Sequence, residues 1–322
     1  MMDVKNKKIT VIGIGASGKS AALFLKSKGA LVYATDSGSS PEIEKTAGYL
    51  RKNGINAQTR RHTEDFIKSS TLIVISPGIP PDSPAVKWAK KYNIEIISEI
   101  ELAYCFCPGR IIAVTGSNGK STTATLIAQI LKDAGKNVVL CGNIGNAFID
   151  EIEKISKASY VVLEVSSFQL EGIKTFKPYI CVILNVSQNH LDRHADFKEY
   201  FSAKKMIYRY QDKNNYAVLN YDDAELRALK GRVPSNLFFF SRRRRIRGAY
   251  AENDKLYLNI TRPQFLSGTE KFKLKQPHNV ENFLAAAVCA SICKVPAASI
   301  KKTLAGFKGL PHHIEPVARI NG

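Results

Sequence analysis

Two apolar, β-branched runs each break into a glycine-rich loop that opens a helical pattern, and this limits the fold more tightly than any other feature. The first reads KITVIGIGASGKS from Lys8, the second RIIAVTGSNGKSTT from Arg110. A buried strand running into a glycine loop and then a helix aims backbone N–H groups at a phosphate. The rest of each half repeats the grammar. ALVYATD, TLIVISPG and IEIISEIEL follow the first loop, with helices from Ser17 and over Pro84–Tyr92. NVVLCGNIG, YVVLEVSSF, YICVILNVS and YAVLNYDD follow the second, after a helix over Ser121–Ala134. Such alternation predicts α/β units with parallel sheets covered on both faces. The pattern resets near Pro108-Gly109, and at 322 residues more than one domain is expected. From Leu237 to Lys275 the composition turns to β-hairpins, and the run SRRRRIRG (Arg242 to Arg245 and Arg247) reads as a solvated hairpin loop. The final Asn-Gly reads as a turn that opens and does not close, so more chain is expected beyond it.

The first loop fits two patterns. As G-x-G-x-x-G it places Gly13, Gly15 and Gly18 for a dinucleotide-type turn; as G-x-x-x-x-G-K-S it is a complete P-loop with Lys19 and Ser20. Context separates them. The next strand ends in Asp36, where a dinucleotide-type fold puts its ribose-binding acid, and later strands of this half end without an acid. The second loop, Gly116 to Thr122, lacks the leading glycine because Val114 stands there. However, one neighbouring strand ends in Glu164 and another runs to His190 and Asp192. A loop, an acid and a histidine at strand ends of one sheet make a convergent nucleotide and magnesium site, so ATP is assigned to the second loop.

The formal charge of +19 suits anionic ligands without choosing among them, and nucleic-acid binding through the arginine run is not expected. Six cysteines without a C-x-x-C pair argue for reduced, buried thiols. With no apolar segment long enough to span a bilayer and no signal peptide, a cytoplasmic protein without membrane contact is expected.

At this point the residues resemble the Mur ligase family, on the branch that adds D-glutamate. The loop GSNGKST at 116–122 is accompanied by SPGIP (76–80), SEIEL (98–102), GNIG (142–145), EVSSFQL (164–170), NVSQNHLDRH (185–194), AKKMIY (203–208), HNVEN (278–282) and GLPHHIE (309–315). The resemblance implies a Rossmann-like UDP-sugar domain over 1–98, a P-loop-type central ATP domain over 99–309, and at 310–322 the start of an amino-acid-binding domain otherwise absent. It implies a monomeric ligase taking UDP-N-acetylmuramoyl-L-alanine, D-glutamate and ATP through an acyl phosphate, with two magnesium ions and a lysine carbamylated by CO2.

Its residues map as follows. Gly15, Ala16, Ser17, Asp36, Ser37, Ser76, Gly78 and Asn143 would meet the UDP-sugar. Gly116, Ser117, Asn118, Gly119, Lys120, Ser121, Thr122, Asn279, Asn282 and His313 would meet ATP, although Asn282 can equally be a helix-opening residue. Ser121, Glu164, His190 and a carbamylated Lys204 would hold magnesium, and Lys120, His190, Lys204 and Asn143 would carry the chemistry. Lys205 is the neighbouring candidate for the carbamate, and an ordinary exposed helix lysine is the alternative at 204. His313 stands where the family has arginine, a weaker phosphate partner when neutral. Competing functions are an NAD-dependent oxidoreductase built on the first loop, a nucleic-acid-binding ATPase, and a Mur-type ligase adding another amino acid.

Overall fold

The structure, a computed structural model, describes residues 2–187, 196–271 and 276–309. Two sheets carry it. The first comprises β1 (Lys8–Ile12), β2 (Leu31–Thr35), β3 (Asn56–Gln58), β4 (Leu72–Ile75) and β5 (Ile96–Ser98), in the order β3-β2-β1-β4-β5. All its pairings are parallel, with Ile9 opposite Val32 on one side and Leu72 on the other. Connecting helices are α1 (Ala16–Ser27), α2 (Pro41–Lys52), α3 (Glu64–Ile67) and α4 (Pro84–Lys91), the last close to its predicted span. Val11 and Ile12 are both fully buried although they point to opposite faces, as a sheet covered on both sides requires.

The stretch IEIISEIEL is a short strand that turns at Ser98 into α5 (Glu99–Phe106). Ser98 caps this helix by accepting from the Glu101 N–H. The second sheet follows: β6 (Arg110–Thr115), β7 (Val138–Gly142), β8 (Tyr160–Glu164), β9 (Ile180–Ile183), β10 (Tyr216–Asn220), β11 (Asn236–Ser241), β12 (Gly248–Glu252), β13 (Lys255–Asn259) and β14 (Pro263–Gly268). Its order is β14-β13-β12-β11-β10-β9-β6-β8-β7. The helices are α6 (Lys120–Asp133), α7 (Ser167–Glu171), α8 (Phe197–Lys205), α9 (Ala224–Arg227), α10 (Pro277–Ile292) and α11 (Ala297–Gly306).

The hairpin region begins later than expected. β11 continues the parallel sheet, and β12 also runs parallel to it; only β12-β13-β14 is antiparallel. The arginine run therefore joins parallel strands and is no hairpin loop. The return is possible because Gly248, at φ +135°, lies so close to the Phe239 carbonyl that a Cβ would sit 1.8 Å from its oxygen.

An apolar core runs from the first sheet into the second through α5 and the 3-10 segment Phe148–Lys154, with Leu25, Leu102, Phe148 and Phe176 fully buried. Buried carboxylates pin the same junction. Glu101 accepts from the backbone N–H groups of Lys174, Thr175 and Phe176 at 2.8–3.0 Å. Glu99 accepts from the Ile149 N–H at 2.8 Å, and burial pushes its carboxyl up to about 7. Ser20 donates to Asp150, and Lys28 pairs with Glu153. Four cysteines are buried, Cys105 and Cys107 half-buried, and all six are free. No described helix is long and apolar enough to cross a membrane.

Candidate active site

In each sheet the strand order reverses beside the strand that carries a glycine loop, at β1 and at β6, which opens a crevice at the strands' carboxyl ends. The two crevices face one cleft of about 670 Å³. From the first sheet it is lined by Gly13, Gly15, Ala16, Ser17, Asp36, Ile43, Ser76 and Gly78, and from the second by Lys120, Asn143, Ser166, Gln169, Tyr200 and Lys204, among others.

The three glycines of the first loop do different work. Gly13 turns the chain at φ +84°, with the Ser76 Cβ only 2.9 Å from where its own Cβ would be. Gly18 packs α1 on the turn so closely that a Cβ would lie 1.8 Å from the Gly13 carbonyl oxygen. Gly15 has open space where its side chain would be, which lets a ligand approach the backbone. It is also the N-cap of α1, with no side chain covering the orphan N–H groups. Asp36 ties the loops together, accepting from the Ile14 and Gly38 N–H groups, both at 2.8 Å. Ser76 donates to the Gly13 carbonyl. Ser37 is exposed and does not line the cleft. Lys19 lies over the Tyr49 ring and Ser20 is engaged with Asp150, so the two residues that completed the P-loop pattern are used elsewhere.

In the second loop Gly119 takes φ +81° and caps α6 without a side-chain bond. Asn282 lies against it and accepts from the Thr123 hydroxyl at 3.1 Å. Asn279 Oδ1 is 3.4 Å from Asn282 Nδ2, and both asparagines are buried. Asn282 does not open the helix: Gln276 is the N-cap and Pro277 starts α10, so 282 lies in its second turn. Asn118 is exposed and exchanges hydrogen bonds with Asn185. Ser117 lies within hydrogen-bonding distance of the buried Tyr200 hydroxyl, at 3.1 Å. Ser121 and Thr122 are half-buried in the first turn of α6.

Charge is concentrated around Gly116. Lys120 Nζ donates to the Gly116 and Ser117 carbonyls, both at 3.0 Å. Burial pulls its ammonium below the usual lysine range, with Glu164 opposing. Lys204 Nζ donates to the same Gly116 oxygen at 3.0 Å, over the Tyr200 ring. Burial, and then Lys120, lower this ammonium to about 7. Lys204 is 2% exposed, which overturns the exposed-helix alternative. Lys205 rests on Phe201 outside the cleft. Glu164 accepts from Asn143 through one carboxylate oxygen at 3.0 Å, while its other oxygen, Oε2, is buried without a partner among the described residues.

That orphaned oxygen suits a magnesium ion, a hard cation that takes oxygen donors and keeps phosphate oxygens and waters besides. The described residues contain no group of three His, Cys, Asp or Glu that would hold a metal unaided. His190 and His313 lie outside the described residues. Ser166, Phe168, Gln169 and Tyr200 line the cleft although sequence reading gave them no role; EVSSFQL, which begins with Glu164, was the available signal for all but Tyr200.

Residues 114–290 match the Mur ligase middle domain, and residues 7–98 match the Mur ligase MurD-like N-terminal domain. The chain is 39% identical over 323 residues to the UDP-N-acetylmuramoylalanine–D-glutamate ligase of Koribacter versatilis, covering 100% of this chain and 71% of that protein. The corresponding ligase of Caldicellulosiruptor bescii is 40% identical over 325 residues, with the same coverage. In fold it is similar to the UDP-N-acetylmuramate:L-alanyl-gamma-D-glutamyl-meso-diaminopimelate ligase of Neisseria meningitides. That match has a TM-score of 0.64 at 18% identity and covers 95% of this chain and 99% of that one. The chain belongs to the Mur ligase family.

Proposed function

We propose that this chain binds UDP-N-acetylmuramoyl-L-alanine at the first glycine loop and ATP at the second, and activates the alanyl carboxylate for amide formation with D-glutamate. The observation that carries the reading is the cleft onto which both loops open, with Lys120 and Lys204 lining its ATP side and the buried Glu164 bonded to the cleft residue Asn143. The division into a sugar-nucleotide domain over 1–98 and an ATP domain over 99–309 belongs to the same proposal; the segment 310–322, expected to start a further domain, lies outside the described residues.

A carboxylate oxygen attacks the γ-phosphorus, the bond to the β-phosphate oxygen breaks, and ADP leaves an acyl phosphate. The amine of D-glutamate then attacks the acyl carbon, phosphate departs, and the ammonium proton is lost. Both partners in the first step are anions, so the protein must neutralise and align them. Lys120 exchanges its loop carbonyls for β- and γ-phosphate oxygens. The free N–H groups of α6 face the same phosphates, and those of α1 face the UDP pyrophosphate. Asn143, held by Glu164, orients the muramoyl-alanyl end. Asn279 and Asn282 place adenine beside the loop.

Ser121 and Glu164 would hold magnesium, which supplies charge neutralisation at the transferring phosphoryl group. His190 would contribute to a second ion. An ammonium at 204 repels such an ion, whereas a carbamate there supplies anionic oxygens. Carbamylation needs a neutral amine, and a lysine lowered to about 7 is neutral in substantial fraction at physiological pH.

The test is hydroxylamine trapping of the acyl phosphate with UDP-N-acetylmuramoyl-L-alanine and ATP. A hydroxamate that needs both substrates, and is diminished by D-glutamate, is expected. ATP turnover without hydroxamate, or NADH binding in the same cleft, would overturn the reading.

A further inference from the structure

The arginine run has no part in the reaction above, yet its position relates it to the nucleotide loop. The strand register places Thr115 of β6 opposite Ile183, Ile183 opposite Leu219, and Leu219 opposite Phe239 of β11. Gly116 and Ser241 therefore leave the same carboxyl edge, three strand spacings apart, about 14 Å at the usual inter-strand distance. Arg242 Nε pairs with Glu281 at 2.8 Å, on the helix α10 whose next residue, Asn282, touches the loop.

The loop is held from beneath. The Ser241 hydroxyl donates to Asp222 and accepts from the N–H groups of Arg243 and Arg244; the other Asp222 oxygen accepts from the Arg242 N–H at 2.7 Å. Its acids are already engaged: Glu281 by Arg242, Glu252 by Arg245 through two 2.7 Å bonds, and Asp222 by the loop backbone. Arg247 stacks over Phe238. Arg243 and Arg244 are left exposed, with no acidic partner among the described residues, on a backbone fixed in place.

We propose that Arg243 and Arg244 form a cationic rim that draws the nucleotide triphosphate toward the second loop, setting its association rate without contacting it when bound. This rests on the assignment of ATP to that loop. Two positive charges on a fixed backbone at such a distance act on an anionic magnesium nucleotide through the solvent, and they act most when the screening length exceeds the gap: ~30 Å at 0.01 M salt against ~8 Å at 0.15 M.

The experiment is stopped-flow binding of N-methylanthraniloyl-ATP with magnesium, in 0.01 M and 0.5 M salt. It compares wild type, Arg243→Glu/Arg244→Glu, Arg243→Gln/Arg244→Gln, and Lys5→Glu/Lys7→Glu, which makes the same net-charge change beside β1 of the first sheet. The expected result is an association rate about tenfold lower in the glutamate pair at low salt, the lower end of steering effects, an intermediate loss in the glutamine pair, and convergence at high salt. Dissociation rates stay unchanged, and the remote pair matches wild type. Equal association rates in all four proteins would overturn the rim and leave the ATP site standing. A faster dissociation with unchanged association would replace steering by direct contact and also overturn it. Single-stranded DNA binding lost in the variant while nucleotide capture persists would reassign the surface. Failure of the wild type to bind the analogue, or binding that survives Lys120→Ala undiminished, would remove the ATP assignment itself.

Discussion

Asp36→Ala separates the two loops most cleanly. Its carboxylate accepts two backbone hydrogen bonds of 2.8 Å, one from Ile14 inside the glycine turn and one from Gly38 beyond β2. Hydrogen bonds to a charged acceptor are worth about 1.5–3 kcal/mol each when buried. Asp36 is half-buried, and water can satisfy part of what is lost. A combined cost of about 2 kcal/mol in holding the two loops at their ligand-binding geometry is therefore reasonable. If the UDP-sugar needs that geometry, its affinity should fall about thirtyfold. Asp36→Asn keeps one acceptor oxygen and should lose roughly half as much free energy. Calorimetric titration with UDP-N-acetylmuramoyl-L-alanine reads this directly, and titration with a non-hydrolysable ATP analogue serves as the control, expected to change less than about twofold since Asp36 makes no contact with the second loop. The refuting result is a loss of ATP-analogue affinity that equals or exceeds the loss for the sugar nucleotide. In that case GIGASGKS is a working P-loop and the assignment is inverted.

Gly18→Ala should weaken sugar-nucleotide binding and lower stability by about 1–3 kcal/mol in denaturant titration, because its Cβ meets backbone and not a flexible chain end. Lys120→Ala should abolish phosphoryl transfer, a loss of at least ~3 kcal/mol in transition-state stabilisation, with sugar-nucleotide affinity nearly intact by calorimetry. Glu164→Gln should leave the fold and sugar-nucleotide binding unchanged and remove the magnesium dependence of nucleotide affinity; retained dependence would place the ion elsewhere. Lys204→Met should lose activity without losing thermal stability at neutral pH, since it deletes a charge that burial disfavours. The native lysine is depressed to about 7 from 10.5, so between those values the unfolded chain binds more protons. Wild-type stability should accordingly rise with pH across that window relative to the variant. The carbamate itself should appear in 13C-bicarbonate NMR, fade as pH falls below about 7, and vanish in Lys204→Met but not in Lys205→Ala.

The loops were legible because their chemistry is local. A strand, a glycine turn and a helix within fifteen residues leave few other folds, and the acid ending the next strand distinguished the two loops. What stayed hidden depends on distant partners. That both Asp36 oxygens are committed to backbone groups follows from the return of β2 beside the turn, which no spacing rule reports. Tyr200 and Gln169 enter the cleft because α7 and α8 pack beside the loop. Asn282 was ambiguous only while the helix start was unknown; Pro277 is a favoured first helical residue and could have decided it. The arginine run read as a hairpin turn because polar residues between two β-rich runs usually are one. The parallel return depends on the missing side chain of Gly248 against the Phe239 carbonyl, a tertiary contact.

The buried charges around Gly116 are the least economical part of the fold, and that is informative. Two lysine ammoniums share one carbonyl oxygen, each depressed by burial, while a carboxylate oxygen nearby has no partner among the described residues. Hydrophobic packing would stabilise such a position better than uncompensated charge. By contrast the buried acid Glu101 accepts from three backbone donors. The contrast locates the strain. It lies where a polyphosphate would accept from Lys120, where magnesium would meet the free oxygen of Glu164, and where conversion of Lys204 to a carbamate would replace a repelled cation by a ligand. On the proposed reading, these three deficits are met by one set of partners, a magnesium nucleotide and carbon dioxide. Neither NAD nor a nucleic-acid strand would relieve all three.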